Sequence, residues 1–125
     1  MKPANVKVSD AELQLLQILW SESLLSATEL ADRVPAARDW SLTTVKTLLS
    51  RLVAKGAIET KRDGRRFLYS PAVPRETIAS SQVRGLIDRL FGGRVSPLVA
   101  QLAREGDFDS KDLDELEALI KSLRQ

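Results

Sequence analysis

Apolar side chains recur at helical spacing through most of this chain and alternate with polar ones over a short central stretch. Ser9-Asp10-Ala11-Glu12 has the spacing of a capping box. Leu13, Leu16, Ile18, Leu19 and Trp20 follow as a broad apolar surface, predicting a first helix through residue 20. A polar break, Ser21-Glu22-Ser23, precedes a second capping box, Ser26-Ala27-Thr28-Glu29. This opens a short helix with Leu30, Ala31 and Val34 inward, and Pro35 ends it. A third helix starts at Ser41, which can cap it, and turns Leu42, Val45, Leu48, Leu49, Leu52 and Val53 toward a core. Its opposite side carries Thr43, Thr47, Ser50, Arg51 and Ala54, with Thr44 and Lys46 on the shoulders and Gly56 at the C-terminal cap.

The rhythm then shortens. Ala57–Lys61 and Arg66–Ser70 are β-prone runs joined by Arg62-Asp63-Gly64-Arg65, a hairpin signal in which glycine supplies the positive φ of a tight turn. Phe67 and Tyr69 fall on one face of the second run, and Pro71 and Pro74 close the unit. Helical spacing returns over residues 75–91, with Ile78, Val83, Leu86, Ile87, Leu90 and Phe91 apolar and Gly92-Gly93 as terminator. Ser96-Pro97 reads as a cap with proline at the first helical position, opening a helix to Arg104. The last helix, 110–123, aligns Leu113, Leu116, Leu119, Ile120 and Leu123, with acids in its first turns where the helix dipole favours them.

Composition removes whole classes of chemistry. The 125 residues include no cysteine and no histidine, which excludes thiol or imidazole metal sites, disulfides and cysteine- or histidine-based catalysis. The acids lie on polar helix faces with no evident convergent pair, so no enzyme, metal or cofactor is expected. No apolar run approaches a membrane span, and Met1-Lys2-Pro3-Ala4-Asn5 lacks a secretory apolar core, so the expected location is cytoplasmic, without membrane insertion. The formal charge of +2 hides an asymmetry. Residues 40–75 hold eight basic side chains (Lys46, Arg51, Lys55, Lys61, Arg62, Arg65, Arg66, Arg75) against Glu59 and Asp63, whereas residues 76–125 carry nine acids against seven bases. That distribution points to a polyanion at one end of the molecule.

Helix, short helix, helix and β-hairpin in that order make a winged helix-turn-helix, whose second motif helix enters the major groove of DNA. The fold class is therefore mainly α: a winged domain over residues 1–73, followed by a three-helix dimerisation region over 74–125. Short polar side chains let a recognition helix approach base edges, and threonine offers both a hydroxyl and a methyl. The candidate DNA-reading residues are Ser41, Thr43, Thr44, Lys46, Thr47, Ser50 and Arg51, with Arg62, Arg65 and Arg66 of the wing gripping the flanking backbone. Trp20 and Trp40 are expected to pack the domain. A tail of short amphipathic helices buries too little surface alone, so a second copy is its expected partner, through Leu86, Leu90, Phe91, Leu98, Leu102, Leu113, Leu116 and Ile120. The alternative is a winged-helix protein-interaction module without sequence-specific DNA binding.

The stretch from Trp40-Ser41-Leu42-Thr43-Thr44-Val45-Lys46-Thr47 to Lys55-Gly56 resembles the hallmark segment of the penicillinase-repressor (BlaI/MecI/CopY) family. The likeness continues upstream through Glu12 and Ile18-Leu19-Trp20, and downstream through Asp63-Gly64-Arg65-Arg66-Phe67-Leu68-Tyr69-Ser70-Pro71. It implies a homodimeric repressor on a dyad operator, controlling β-lactam-resistance or cell-envelope-stress genes. It also implies release by a membrane-bound sensor protease. The family's scissile Asn–Phe bond corresponds by position to Gln101-Leu102, where this chain departs at both residues. The copper-responsive branch uses cysteines, and this chain has none.

Overall fold

The computed structural model describes Val6–Gln125; the N-terminal pentapeptide read above for a secretory signal lies outside the described residues. The elements are α1 (Asp10–Ser21), β1 (Leu25–Ser26), α2 (Ala27–Arg33), a 3-10 turn (Ala36–Arg38), α3 (Leu42–Ala54), β2 (Ile58–Asp63), β3 (Arg66–Pro71), α4 (Arg75–Leu90), α5 (Val95–Arg104) and α6 (Ser110–Leu123). They form two compact units, Met1–Val83 and Arg84–Gln125, with the division falling inside α4.

In the first unit both predicted capping boxes form. Ser9 and Glu12 exchange hydrogen bonds at the start of α1, and Ser26 and Glu29 do so at the start of α2, satisfying backbone N–H groups that have no intrahelical partner. The apolar sides of α1, α2 and α3 meet over Leu15, Leu16, Leu19, Leu30, Val45, Leu48, Leu49 and Leu52, each no more than 6% exposed. Removing that surface from water is the main force holding the unit together. Trp20 donates its indole N–H to the Val73 carbonyl at 3.0 Å and lies under the Arg75 guanidinium, while Trp40 packs half-buried against the core. Ser81 and Gln82 of α4 donate to the carbonyls of Val6 and Val8, tying the first half of that helix to the same unit.

The sheet has three antiparallel strands in the order β1-β3-β2. β1 was not expected: Leu25 and Ser26 become a strand only because Tyr69 and Leu68 lie alongside them. The hairpin strands run longer than predicted, to Asp63 and Pro71. Proline is tolerated at the end of β3 because β1 pairs only as far as Tyr69. Two residues of the predicted apolar stripe of α3, Leu42 and Val53, are 39% and 40% exposed. Both sit near helix ends, at the margin of the buried stripe.

The second unit comprises the rest of α4 with α5 and α6. α5 begins at Val95 with Arg94 as its cap and no side-chain capping bond, rather than with Ser96 capping and Pro97 first. Pro97 still falls in the first turn, where its missing N–H costs no helical bond. α6 opens on a capping box that the sequence reading missed, between Asp109 and Asp112. Of the residues in this unit only Ile87 is fully buried, whereas Leu90, Leu113, Leu119, Ile120 and Leu123 are 51–75% exposed.

Candidate nucleic-acid interface

Helix α3 is held by its ends as well as its apolar face. The Ser41 hydroxyl accepts the Thr44 N–H at 3.1 Å. At the other end Lys55 is the cap and Gly56, at φ +77°, lets the chain turn back. The Gly56 N–H donates to the Val53 carbonyl and the Ala57 N–H to the Leu52 carbonyl, both at 3.0 Å, which is a Schellman closure. Ala57, fully buried, seals the corner.

This anchoring leaves Thr43, Lys46, Thr47, Ser50 and Arg51 exposed along one side of α3. Among the described residues Thr43, Lys46, Ser50 and Arg51 have no side-chain hydrogen bond or ion pair, so their polar groups remain available to a ligand. The Thr47 hydroxyl donates to the Thr43 carbonyl at 3.0 Å, leaving its oxygen as an acceptor and its methyl free. Ser41 and Thr44 are mutually engaged, their hydroxyl oxygens 3.1 Å apart, and Thr44 is half-buried. These two position the helix start in the free protein. Arg38 stacks at 5.1 Å over the Trp40 ring just before α3 and braces the approach to it.

Lys55, counted in the basic cluster above, does not contribute to that face. It donates to the carboxylate of Glu12, which is 2% exposed, and to the Lys7 carbonyl at 2.7 Å. Burial opposes the Glu12 charge, but hydrogen bonds from Lys55 and from Ser9 outweigh it and hold the carboxyl below its ordinary range. One buried oxygen thus joins the start of α1 to the end of α3. Nothing in the local sequence around either residue announces this pair.

The wing stands beside α3. Ser50 and Val53 of the helix share a shallow cleft with Thr60, Phe67 and Tyr69, confirming that the two aromatic residues lie on one face of β3. A second cleft brings Lys46 together with Arg65 and Arg66 and with the first turn of α2. The predicted contact residues of helix and wing are therefore on adjoining surfaces. The Ser26 N–H, with Arg66 and Arg33 nearby, holds the Glu29 carboxyl in this cleft below its ordinary range.

The tail residues named above divide by exposure. Leu86, Phe91, Leu98, Leu102 and Leu116 are half-buried, whereas Leu90, Leu113 and Ile120 are exposed. Gln101 is exposed in α5, with Leu102 beside it. Among the described residues no cluster of acidic side chains could hold a metal, and no helix is long and apolar enough to cross a membrane.

Residues 8–122 match the family model described as penicillinase repressor. The chain belongs to the penicillinase-repressor family. It is 28% identical over 120 residues to the methicillin resistance regulatory protein MecI of Mammaliicoccus sciuri, spanning 96% of this chain and 98% of that one. It is 24% identical over 115 residues to the penicillinase repressor of Bacillus licheniformis, spanning 92% and 90% of the two chains. The solution structure of the DNA binding domain of the repressor BlaI superposes with a TM-score of 0.53 at 32% identity, over 58% of this chain and 89% of that domain. As a member of this family the chain is a DNA-binding transcriptional repressor, mainly helical with a winged-helix reading unit.

Proposed function

We propose that this repressor binds a dyad operator as a homodimer, setting the polar side of α3 into the major groove of each half-site. The observation that carries this reading is the exposed row Thr43, Lys46, Thr47, Ser50 and Arg51 on a helix whose other side is 0–6% exposed at Val45, Leu48, Leu49 and Leu52. Such a helix is rigidly mounted and offers base edges a mixed set of donors, acceptors and methyls. The adjoining wing arginines supply phosphate contacts that set affinity and salt dependence. Anisotropy titrations of the full chain on duplexes recovered from a genome-wide footprint test it. Affinity should fall steeply with salt, and a protein that captures no duplex at low salt would instead be acting as a protein-interaction module.

Homodimerisation is supported by the second unit, where exposed leucines and isoleucine on α4 and α6 outnumber buried ones. Exposed apolar side chains in such number favour association, and a symmetric copy is the commonest partner. The location that follows is the cytoplasm, where the operator is. Control of β-lactam-resistance or cell-envelope-stress genes is the family's implied role. A membrane sensor protease as the inducing partner would act at Gln101-Leu102, inside helix α5. That segment must open locally before a protease can take it as an extended strand. Co-expression with such a protease, followed by intact-mass measurement, tests this: a cut between Gln101 and Leu102 is the expected product, and an uncut chain under inducing conditions removes the protease from the scheme.

A further inference from the structure

Three arginines sit at the end of the hairpin, and their charges are committed differently. Arg65 is exposed and, among the described residues, makes no hydrogen bond, ion pair or ring contact. Arg62 lies 5.5 Å over the Phe67 ring, and its Nε donates to the Gly64 carbonyl at 3.1 Å. Arg66 answers carboxylates from two separate elements. It donates to Asp63 Oδ2 from Nε at 3.3 Å and from Nη2 at 3.2 Å, and its Nη1 stands 4.0 Å from Glu29 Oε1 on α2.

Glu29 brings a negative charge into a surface that is otherwise basic. It lines the same cleft as Lys46, Arg65 and Arg66. The capping box fixes it there, since the same Oε1 accepts the Ser26 N–H at 2.9 Å. That bond above all, with Arg66 and Arg33 assisting, keeps the carboxyl below its ordinary range and so ionised near neutrality. Arg33 is mostly spent elsewhere. Its Nε and Nη2 donate to the two oxygens of Glu22 at 2.8 Å, and its Nη1 donates to the Glu29 carbonyl rather than the carboxylate. Arg66 is left to balance two acids.

Building on the DNA-binding reading above, we propose that Glu29 is a positioning residue that withholds Arg66 from the DNA backbone and so limits the affinity of the repressor for all duplexes alike. A phosphate recruits Arg66 only by competing with Glu29 and Asp63, and success leaves both carboxylates facing DNA uncompensated. Within 4.0 Å of Arg66, both lie well inside the roughly 10 Å over which charges act at 0.1 M salt. Arg66 therefore adds little to the electrostatic attraction that carries non-specific binding, and the repressor stays exchangeable on bulk DNA.

The test uses the full-length chain, an operator duplex recovered by in vitro selection from random DNA, and a scrambled duplex of equal length. Glu29→Gln removes the charge and keeps a residue that suits the capping box. It should bind both duplexes roughly three- to ten-fold tighter at 0.1 M salt, since a charge pair 4 Å apart in water is worth about five-fold. The salt slope should steepen by about 0.9, the mark of one more neutralised phosphate. Asp63→Asn, at the other partner of Arg66, should tighten binding in the same way. Glu76→Gln, an equal charge change on α4 outside the cleft, should leave the slope as it is. In an Arg66→Gln background the gain from Glu29→Gln should vanish. Unchanged affinity or slope in E29Q, tightening confined to one duplex, no gain in D63N, an equal steepening in E76Q, or a gain that survives without Arg66 overturns the assignment. Failure to recover any bound duplex would instead overturn the DNA-binding reading on which it rests.

Discussion

Replacing Glu12 isolates the contact that joins α1 to the end of α3. In Glu12→Gln the side chain keeps its length and an oxygen for the Ser9 N–H, 2.8 Å away in the native protein, but loses its charge. What is lost is the negative charge on the oxygen that Lys55 bonds, so an ion pair becomes a weaker charged–neutral hydrogen bond; bonds to charged groups contribute about 1.5–3 kcal/mol. The Lys55 side chain is 37% exposed and can turn to water, returning part of that, so a net loss of roughly 1–2 kcal/mol is expected. Glu12→Ala also strands the Ser9 N–H and empties buried volume, raising the loss to roughly 2–4 kcal/mol. Against a typical domain stability of about 5–15 kcal/mol, urea denaturation resolves both. The pH dependence carries a definite sign. The folded carboxyl is held below its ordinary value near 4.5, so the ion pair's stabilisation is present above the unfolded pKa and is lost as pH falls through the lower folded value. The gap between wild type and Glu12→Gln should therefore be constant near neutrality and close progressively below about pH 4. A Gln variant as stable as wild type at pH 7, or a gap that persists unchanged in acid, would refute the reasoning.

Lys46→Ala and Arg51→Ala should each weaken binding to the recovered operator by about 1–3 kcal/mol where the side chain meets a base, with thermal unfolding unchanged. Wild-type affinity in both variants on anisotropy titration would remove this side of α3 as the reading surface. Gly56→Ala forces a side chain into a backbone at φ +77° and should cost about 1 kcal/mol or more in urea denaturation, although no atom within 4 Å would meet the new methyl. Leu49, 1% exposed, is expected to lose about 2–5 kcal/mol on truncation to alanine; a loss under 1 kcal/mol would contradict its placement in the core. Ile120→Glu, at an exposed position on α6, should shift the protein from twice the chain mass toward the monomer in light scattering and leave the melting of the winged unit in place. A variant that stays dimeric would place the association surface elsewhere.

Much of this molecule is legible in its sequence. Ser9, Ser26 and Ser41 cap their helices as read, because a cap involves only a residue and its neighbours within one turn. The inward placement of Val45, Leu48, Leu49 and Leu52 and the Asp63-Gly64 turn follow from periodicity and from a backbone angle that glycine adopts without strain. The polar side of α3 is the complement of its apolar side. Family resemblance rested on the same contiguous residues.

What only tertiary structure decided were relations between residues distant along the chain. Lys55 counts toward the basic cluster in the sequence, but packing places it on Glu12, 43 positions away. Leu25 and Ser26 are a strand only in the company of Leu68 and Tyr69. The wing arginines were interchangeable in sequence, and the positions of Glu29, Asp63 and Phe67 separated two that brace from one that is free. Caps, turns and amphipathic stripes are set by interactions within a few residues, which a linear pattern records. Ion pairs and strand partners depend on distances that exist only once the core has brought separate segments together.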